Sequence, residues 1–211
     1  MFHSFAETSE TPGDKRLFAP SAARNVEAIC EVLSSRLPND GLALEIASGT
    51  GEHVIAFAAL NPALQWQPTD IDPKRVDSIN AWRAQTGATN VLPAVQFDAS
   101  QDQWKGERAH FAFLSNLLHI VSSKDANAIV KTMVGPLEPG GSCVIYGPFL
   151  RTDGFASEAD ERFDASIREE RPSAGYKVIE DVEAELKALG LHALERIAMP
   201  ANNLMIIAQR P

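Results

Sequence analysis

Leu42-Ala43-Leu44-Glu45-Ile46-Ala47-Ser48-Gly49-Thr50-Gly51-Glu52-His53 constrains the fold more than any other stretch of the chain. An apolar run of strand length enters a turn with two glycines, and a helix-forming sequence starts directly after it. Glycine tolerates positive φ and close approach of another group, so such a turn can bend sharply and aim backbone N–H groups at a polar ligand beside the new helix. A strand, a tight turn and a helix in that order is the opening of a βα unit.

The rest of the chain repeats the alternation. Val26, Ile29, Cys30, Leu33 and Leu37 recur at helical spacing after Pro20-Ser21, and Pro38-Asn39-Asp40-Gly41 stops that run. Strands are expected over 42–47, 65–69, 91–97, 110–115 and 141–146, and helices over 52–60, 74–85 and 124–134. Strands separated by helices of this length imply a doubly wound, mostly parallel sheet covered on both faces. The end breaks the rhythm. After a helix over 178–189, strands at 191–198 and 204–209 are joined by Met199-Pro200-Ala201-Asn202-Asn203 alone, too short for a parallel crossover. An α/β fold of seven strands with a C-terminal antiparallel hairpin is therefore expected. Residues 1–20 lack periodicity and read as an arm, and 21–211 as a single domain.

Two ligand classes use a glycine turn of this kind. The dinucleotide pattern G-x-G-x-x-G/A needs a small third residue, and Val54 stands there. The pattern E-x-A-x-G-x-G is met in full by Glu45, Ala47, Gly49 and Gly51, with Ser48 inside it. A carboxylate within an apolar strand is costly unless it meets a cation or donors, and the ammonium of a methionine moiety supplies both. Asp70 lies 19 positions beyond Gly51 (70 − 51), close to the roughly 20 expected of a carboxylate that grips a ribose diol. Asp72, just before Pro73, suits a helix cap. Asp98 ends the third strand and Asn116 follows the fourth, both at the rim where open α/β sheets bind ligands. Ile71 and Ala99 flank two of these acids and join the candidate cofactor contacts.

Together these segments resemble the class I S-adenosylmethionine-dependent methyltransferases. More narrowly, the chain resembles the methyltransferase-like protein twenty-six family. The narrower likeness rests on Pro20-Ser-Ala-Ala-Arg24-Asn25, Ala47 to His53, Trp66 to Pro73, Leu137-Glu-Pro-Gly-Gly141, Tyr146-Gly-Pro-Phe149, Arg162 to Ile167 and Met199 to Asn203. The resemblance implies S-adenosyl-L-methionine as cofactor, with roles at Glu45, Gly49, Gly51, Asp70 and Asp98, the last toward the adenine amino group. It implies no particular acceptor. Where related chains tend to read Gly-Leu-Arg-Asp, this chain has Gly175-Tyr176-Lys177 followed by Val178.

His119, following the fourth strand, is the candidate general base, because imidazole titrates near neutrality. His53, on the first turn of the helix after the glycine loop, lines the methionine end or caps. Arg24 and Asn25 are candidates to close over the cofactor carboxylate or the acceptor, and Tyr146, Phe149 and Phe155 to wall the acceptor. Asn116 is followed by Leu117-Leu118, unlike the element of methyltransferases acting on nucleobase amino groups. A net charge of −9, from 19 Lys+Arg against 28 Asp+Glu with no long basic run, opposes a nucleic-acid partner and points to a small-molecule acceptor. Cys30 and Cys143 sit in apolar settings without metal-ligand spacing, so no metal site is expected. No apolar run approaches the roughly 20 residues of a membrane helix, and the polar start from Met1 to Lys15 fits a cytoplasmic enzyme. A non-catalytic module that binds S-adenosylmethionine or S-adenosylhomocysteine shares every cofactor residue. An NAD(P) oxidoreductase is opposed by Glu45, Val54 and the terminal hairpin.

Overall fold

The computed structural model describes residues 7–8 and 13–211, and the chain divides into two compact units after Asp98. The expected arm therefore lies partly outside the described residues.

In the first unit a short antiparallel pair, β1 (Glu7–Thr8) and β2 (Leu17–Phe18), precedes α1 (Pro20–Leu33). Three parallel strands follow: β3 (Gly41–Ile46), β4 (Leu64–Asp70) and β5 (Val95–Gln96), with β4 in the middle. The helices between them are α2 (Glu52–Leu60) and α3 (Pro73–Thr86). β3 is buried along 42–46 and β4 along 66–70, so both strands read as near-continuous buried runs, as strands covered on both faces must. Phe57 of α2 packs at 5.4 Å between ring centroids on Trp66 of β4, and both are fully buried. Asp72 caps α3 by accepting from the Lys74 N–H at 2.9 Å, ahead of Pro73 at the first helical position.

The expected strand over 91–97 is much shorter. Pro93 lacks an N–H to give a ladder, so Val91 makes an isolated bridge to Trp66 and only Val95–Gln96 forms β5.

The second unit holds β6 (Ala109–Ser115), a 3-10 turn (Leu118–Ile120), α4 (Ser123–Val134), β7 (Leu137–Gly147), α5 (Glu158–Glu170), α6 (Ile179–Ala188), β8 (His192–Ala198) and β9 (Leu204–Gln209). β6 and β7 are parallel; β9 runs antiparallel to β7 on one side and to β8 on the other. The five-residue link thus makes the expected hairpin, and β9 lies between its two neighbours. Pro139-Gly140 does not precede the strand but sits within it, where the register to β6 shifts between Ala109 and Phe111 and Gly140 takes φ +79°. α5 has no counterpart among the expected helices. Seven strands besides the β1–β2 pair, mostly parallel and ending antiparallel, are the expected α/β class.

Candidate functional site

The glycine turn in the first unit is held by its neighbours more tightly than its glycines suggest. Strand ends β3 and β4 are pinned by Ser48 N–H donating to the Thr69 carbonyl at 2.7 Å and by the Thr69 hydroxyl donating to the Glu45 carbonyl at 2.8 Å. The backbone then bends through Ala47 (φ +53°), Gly49 (φ +62°) and Gly51 (φ +98°) into α2. Non-glycine residues seldom adopt such a φ, and where they do the site is often functional.

The two glycines do different work. A Cβ on Gly51 would lie 2.9 Å from the Ile79 Cα, so the close approach of α3 requires glycine there. A Cβ on Gly49 would meet no atom within 4 Å, so the space in front of Gly49 belongs to no side chain.

Glu45, on β3, is the most informative group. It is 1% exposed, and its Oε2 has no hydrogen-bond partner among the described residues. Burial pushes its carboxyl up to about 8; hydrogen bonding from Ser48 opposes the shift and nearby Asp70 adds to it. A buried, unpartnered carboxylate is unstable, and it is the kind of group that a ligand cation satisfies.

Asp70 closes the turn from below. One carboxylate oxygen accepts from the Gly49 N–H at 2.9 Å, the other from the Asp72 N–H at 3.0 Å, and the Arg75 guanidinium stands 3.8 Å away. Burial raises its pKa, while these two N–H groups and Arg75 pull it back. Each ionised carboxylate oxygen keeps a further lone pair for a hydroxyl. Ile71, the next residue, is 52% exposed, an apolar surface presented beside the strand end. Asp98 is half-buried just past β5.

A second set of bonds ties the segment before α1 to the turn. Ser78 of α3 accepts from the Leu17 N–H at 2.8 Å and donates to the Thr50 carbonyl at 2.7 Å. Glu52 accepts from the Ala19 N–H and the Thr50 hydroxyl, both at 2.7 Å. Thr50, Glu52 and Ser78 brace the turn, a role not legible in the sequence, since no motif spacing links residue 17 to 78.

Asn25 and His53 form a buried pair, with the imidazole Nε2 at 2.7 Å from the Asn25 Oδ1. Burial lowers the His53 pKa to about 4, and its ring stacks on Phe57 at 5.5 Å. This pair joins α1 to α2. Arg24, one residue away, is exposed.

In the second unit, Asn116 at the end of β6 takes φ +53° and donates its N–H to the Tyr146 carbonyl at 2.9 Å. Ala99 is buried at the start of this unit. Tyr146 and Phe149 are 2% and 3% exposed, so their rings serve the core of the unit. His119 is buried, and its pKa falls to about 4, chiefly through desolvation and then through Lys177. The exposed ring is Phe163 on α5, a residue that the sequence signals only as a lone aromatic in a charged segment.

Residues 16–210 match the family described as "Protein of unknown function (DUF938)". The chain belongs to that family. Its fold is shared with solved structures at low identity. An O-methyltransferase family protein from Burkholderia thailandensis matches with a TM-score of 0.77 and 17% identity, over 90% of this chain and 57% of that one. An O-methyltransferase family 2 protein from Planctomyces limnophilus, solved in complex with apigenin, matches at 0.75 and 18%, over 90% and 60%. CalO1, a methyltransferase in calicheamicin biosynthesis solved with SAH bound, matches at 0.72 and 16%, over 90% and 54%. This DUF938 chain therefore spans somewhat under two thirds of the length of those proteins. The likeness establishes a Rossmann-like fold, shared with these methyltransferases. Among the described residues no helix is long and apolar enough to cross a membrane.

Proposed function

We propose that this DUF938 chain binds S-adenosyl-L-methionine and transfers its methyl group to a small-molecule acceptor. The observation that carries the reading is Glu45: a buried carboxylate oxygen without a partner, on the strand that leads into a glycine turn. Glu45 accepts the ammonium of the methionine end. The open space at Gly49 receives the body of the cofactor, and Asp70 accepts the ribose hydroxyls. Ile71 lies against the base, and Asp98 completes the contacts within this unit. The cofactor supplies an electrophilic methyl on a sulfonium, and alignment and exclusion of water are the protein's main contribution. His119, neutral and buried, orients the acceptor and takes its proton weakly. Methyltransferases are among the solved proteins that share the fold, which supports this reading.

A dinucleotide is the less favoured ligand because Val54, fully buried, fills the place where a small residue would admit it. Thermal unfolding separates the two. A ligand bound only by the native state stabilises by about 2.7 kcal/mol at 100 times its Kd, which at this size moves Tm by roughly 5–10 °C. S-adenosylhomocysteine is expected to give that shift and NAD none; the reverse order refutes the proposal. Release of S-adenosylhomocysteine from S-adenosylmethionine in a metabolite extract then distinguishes turnover from a binding-only module.

A further inference from the structure

Four rings from four separate segments of the second unit meet at one place. His119 lies 6.0 Å from Phe163 and 6.1 Å from Tyr176, and Tyr176 lies 5.8 Å from Phe155 and 6.3 Å from Phe163, all between ring centroids. Their planes are tilted or edge-on, the arrangement in which ring edges meet ring faces. His119 and Tyr176 are buried. Phe163 is 43% exposed, the one exposed large apolar side chain among the described residues of this unit. It projects from α5, on which only Asp164 is buried, so packing of the helix does not account for an exposed phenyl ring there.

The charges around the rings are satisfied within the protein. Asp164 accepts from the Tyr176 N–H at 2.5 Å and from the Arg168 Nε at 2.6 Å. Asp160 accepts from the Ser157 hydroxyl at 2.6 Å, the Asn202 amide at 3.0 Å and the Tyr176 hydroxyl at 3.4 Å. The Lys177 ammonium donates to the Val121 and Gly175 carbonyls at 2.8 and 2.7 Å. One polar group stands among the rings: the His119 imidazole, against Phe163 and Tyr176.

From this we infer that the cluster of His119, Phe155, Phe163 and Tyr176 is a ring-binding subsite for a planar, uncharged aryl alcohol, whose hydroxyl bonds His119. The inference rests on the proposed methyl transfer, for which it names the acceptor class. A cationic ligand would need an uncompensated acid facing the rings, and an anionic one an uncommitted cation. The cluster offers neither. What it offers is the exposed ring of Phe163 with the His119 imidazole behind it.

Isothermal titration of the full-length chain, with and without S-adenosylhomocysteine, tests this using 2-naphthol, 2-naphthoate and tetramethylammonium as probes. 2-Naphthol is expected to bind, 2-naphthoate about tenfold more weakly, and tetramethylammonium not at all. Phe163→Ala, a change at an exposed position, should weaken 2-naphthol about tenfold and Phe163→Trp should restore it, while the Kd for S-adenosylhomocysteine stays the same in both. Absence of 2-naphthol binding, equal or better binding of either charged probe, or a Phe163→Ala variant with unchanged affinity would overturn the inference. Failure of the underlying reading is separately visible: a chain that takes 2-naphthol through Phe163 but does not bind S-adenosylhomocysteine keeps the ring-binding subsite and loses the methyl-transfer proposal.

Discussion

Glu45→Gln is expected to lower affinity for S-adenosylhomocysteine by about 100- to 4,000-fold, measured by titration calorimetry at pH 7.5. Removing one partner of a buried ion pair costs about 3–5 kcal/mol, because the other charge is left in low dielectric without compensation. Here that charge is the ligand's ammonium. The unliganded protein should respond in the opposite sense. Folded Glu45 keeps its proton up to about 8, whereas an unfolded glutamate loses it near 4.5. Between those values the folded chain binds more protons, so this group's contribution to stability falls as pH rises through the window. Replacing it with the neutral isostere removes that loss. Unliganded Glu45→Gln should therefore melt no lower than the parent at pH 8 while having lost its ligand, which a general folding defect would not produce.

The two glycines of the turn should split in the same experiment. Gly51→Ala is expected to destabilise by about 3 kcal/mol or more, since a strained φ costs about 1–3 kcal/mol and the new Cβ must also displace the backbone of Ile79. Gly49→Ala carries the strain of φ +62° but meets nothing, so its stability loss should stay near 1 kcal/mol. Its methyl group enters the space assigned to the cofactor, however, and S-adenosylhomocysteine affinity should fall at least tenfold. Chemical denaturation and calorimetry on both variants check this. Equal stability losses, or undiminished binding by Gly49→Ala, would show that the turn is not shaped around a ligand.

Much of this site is local in sequence and was legible for that reason. Glu45, Gly49 and Gly51 lie within one strand and turn, and a carboxylate amid Leu42, Leu44 and Ile46 is conspicuous because burial penalises it. The Asp72 cap followed from its place before Pro73. Other features depend on tertiary contacts. The distance from Gly51 marks Asp70 as a candidate ribose ligand; its bonds to the Gly49 and Asp72 N–H groups, which fasten the turn, follow only from the folded chain. Asn25 and His53 each looked like a ligand group, yet 28 residues apart in sequence they satisfy one another.

α5 is instructive in a different way. Its apolar residues are too few to show a helical stripe, because the helix buries almost nothing. Its start was nonetheless written in the chain: Ser157 is an N-cap that accepts from the Asp160 N–H at 3.2 Å, and its hydroxyl donates to the Asp160 carboxylate. The aromatic cluster was beyond reach of any local reading, since Phe155, Phe163 and Tyr176 carry no shared periodicity and His119 stands far from all three.

Proton release on cofactor binding tests the role of Glu45 most directly. Calorimetric titration of S-adenosylhomocysteine at pH 6.5, in two buffers of different ionisation enthalpy, counts the protons exchanged. At that pH the unliganded Glu45 is protonated and the ligand's amine, with an ordinary pKa of about 7.7–8.0, is charged. Formation of a carboxylate–ammonium pair should then release close to one proton per ligand bound, and Glu45→Gln should release none. No release from the parent chain, or the same release from the variant, would contradict Glu45 as the partner of the cofactor's ammonium.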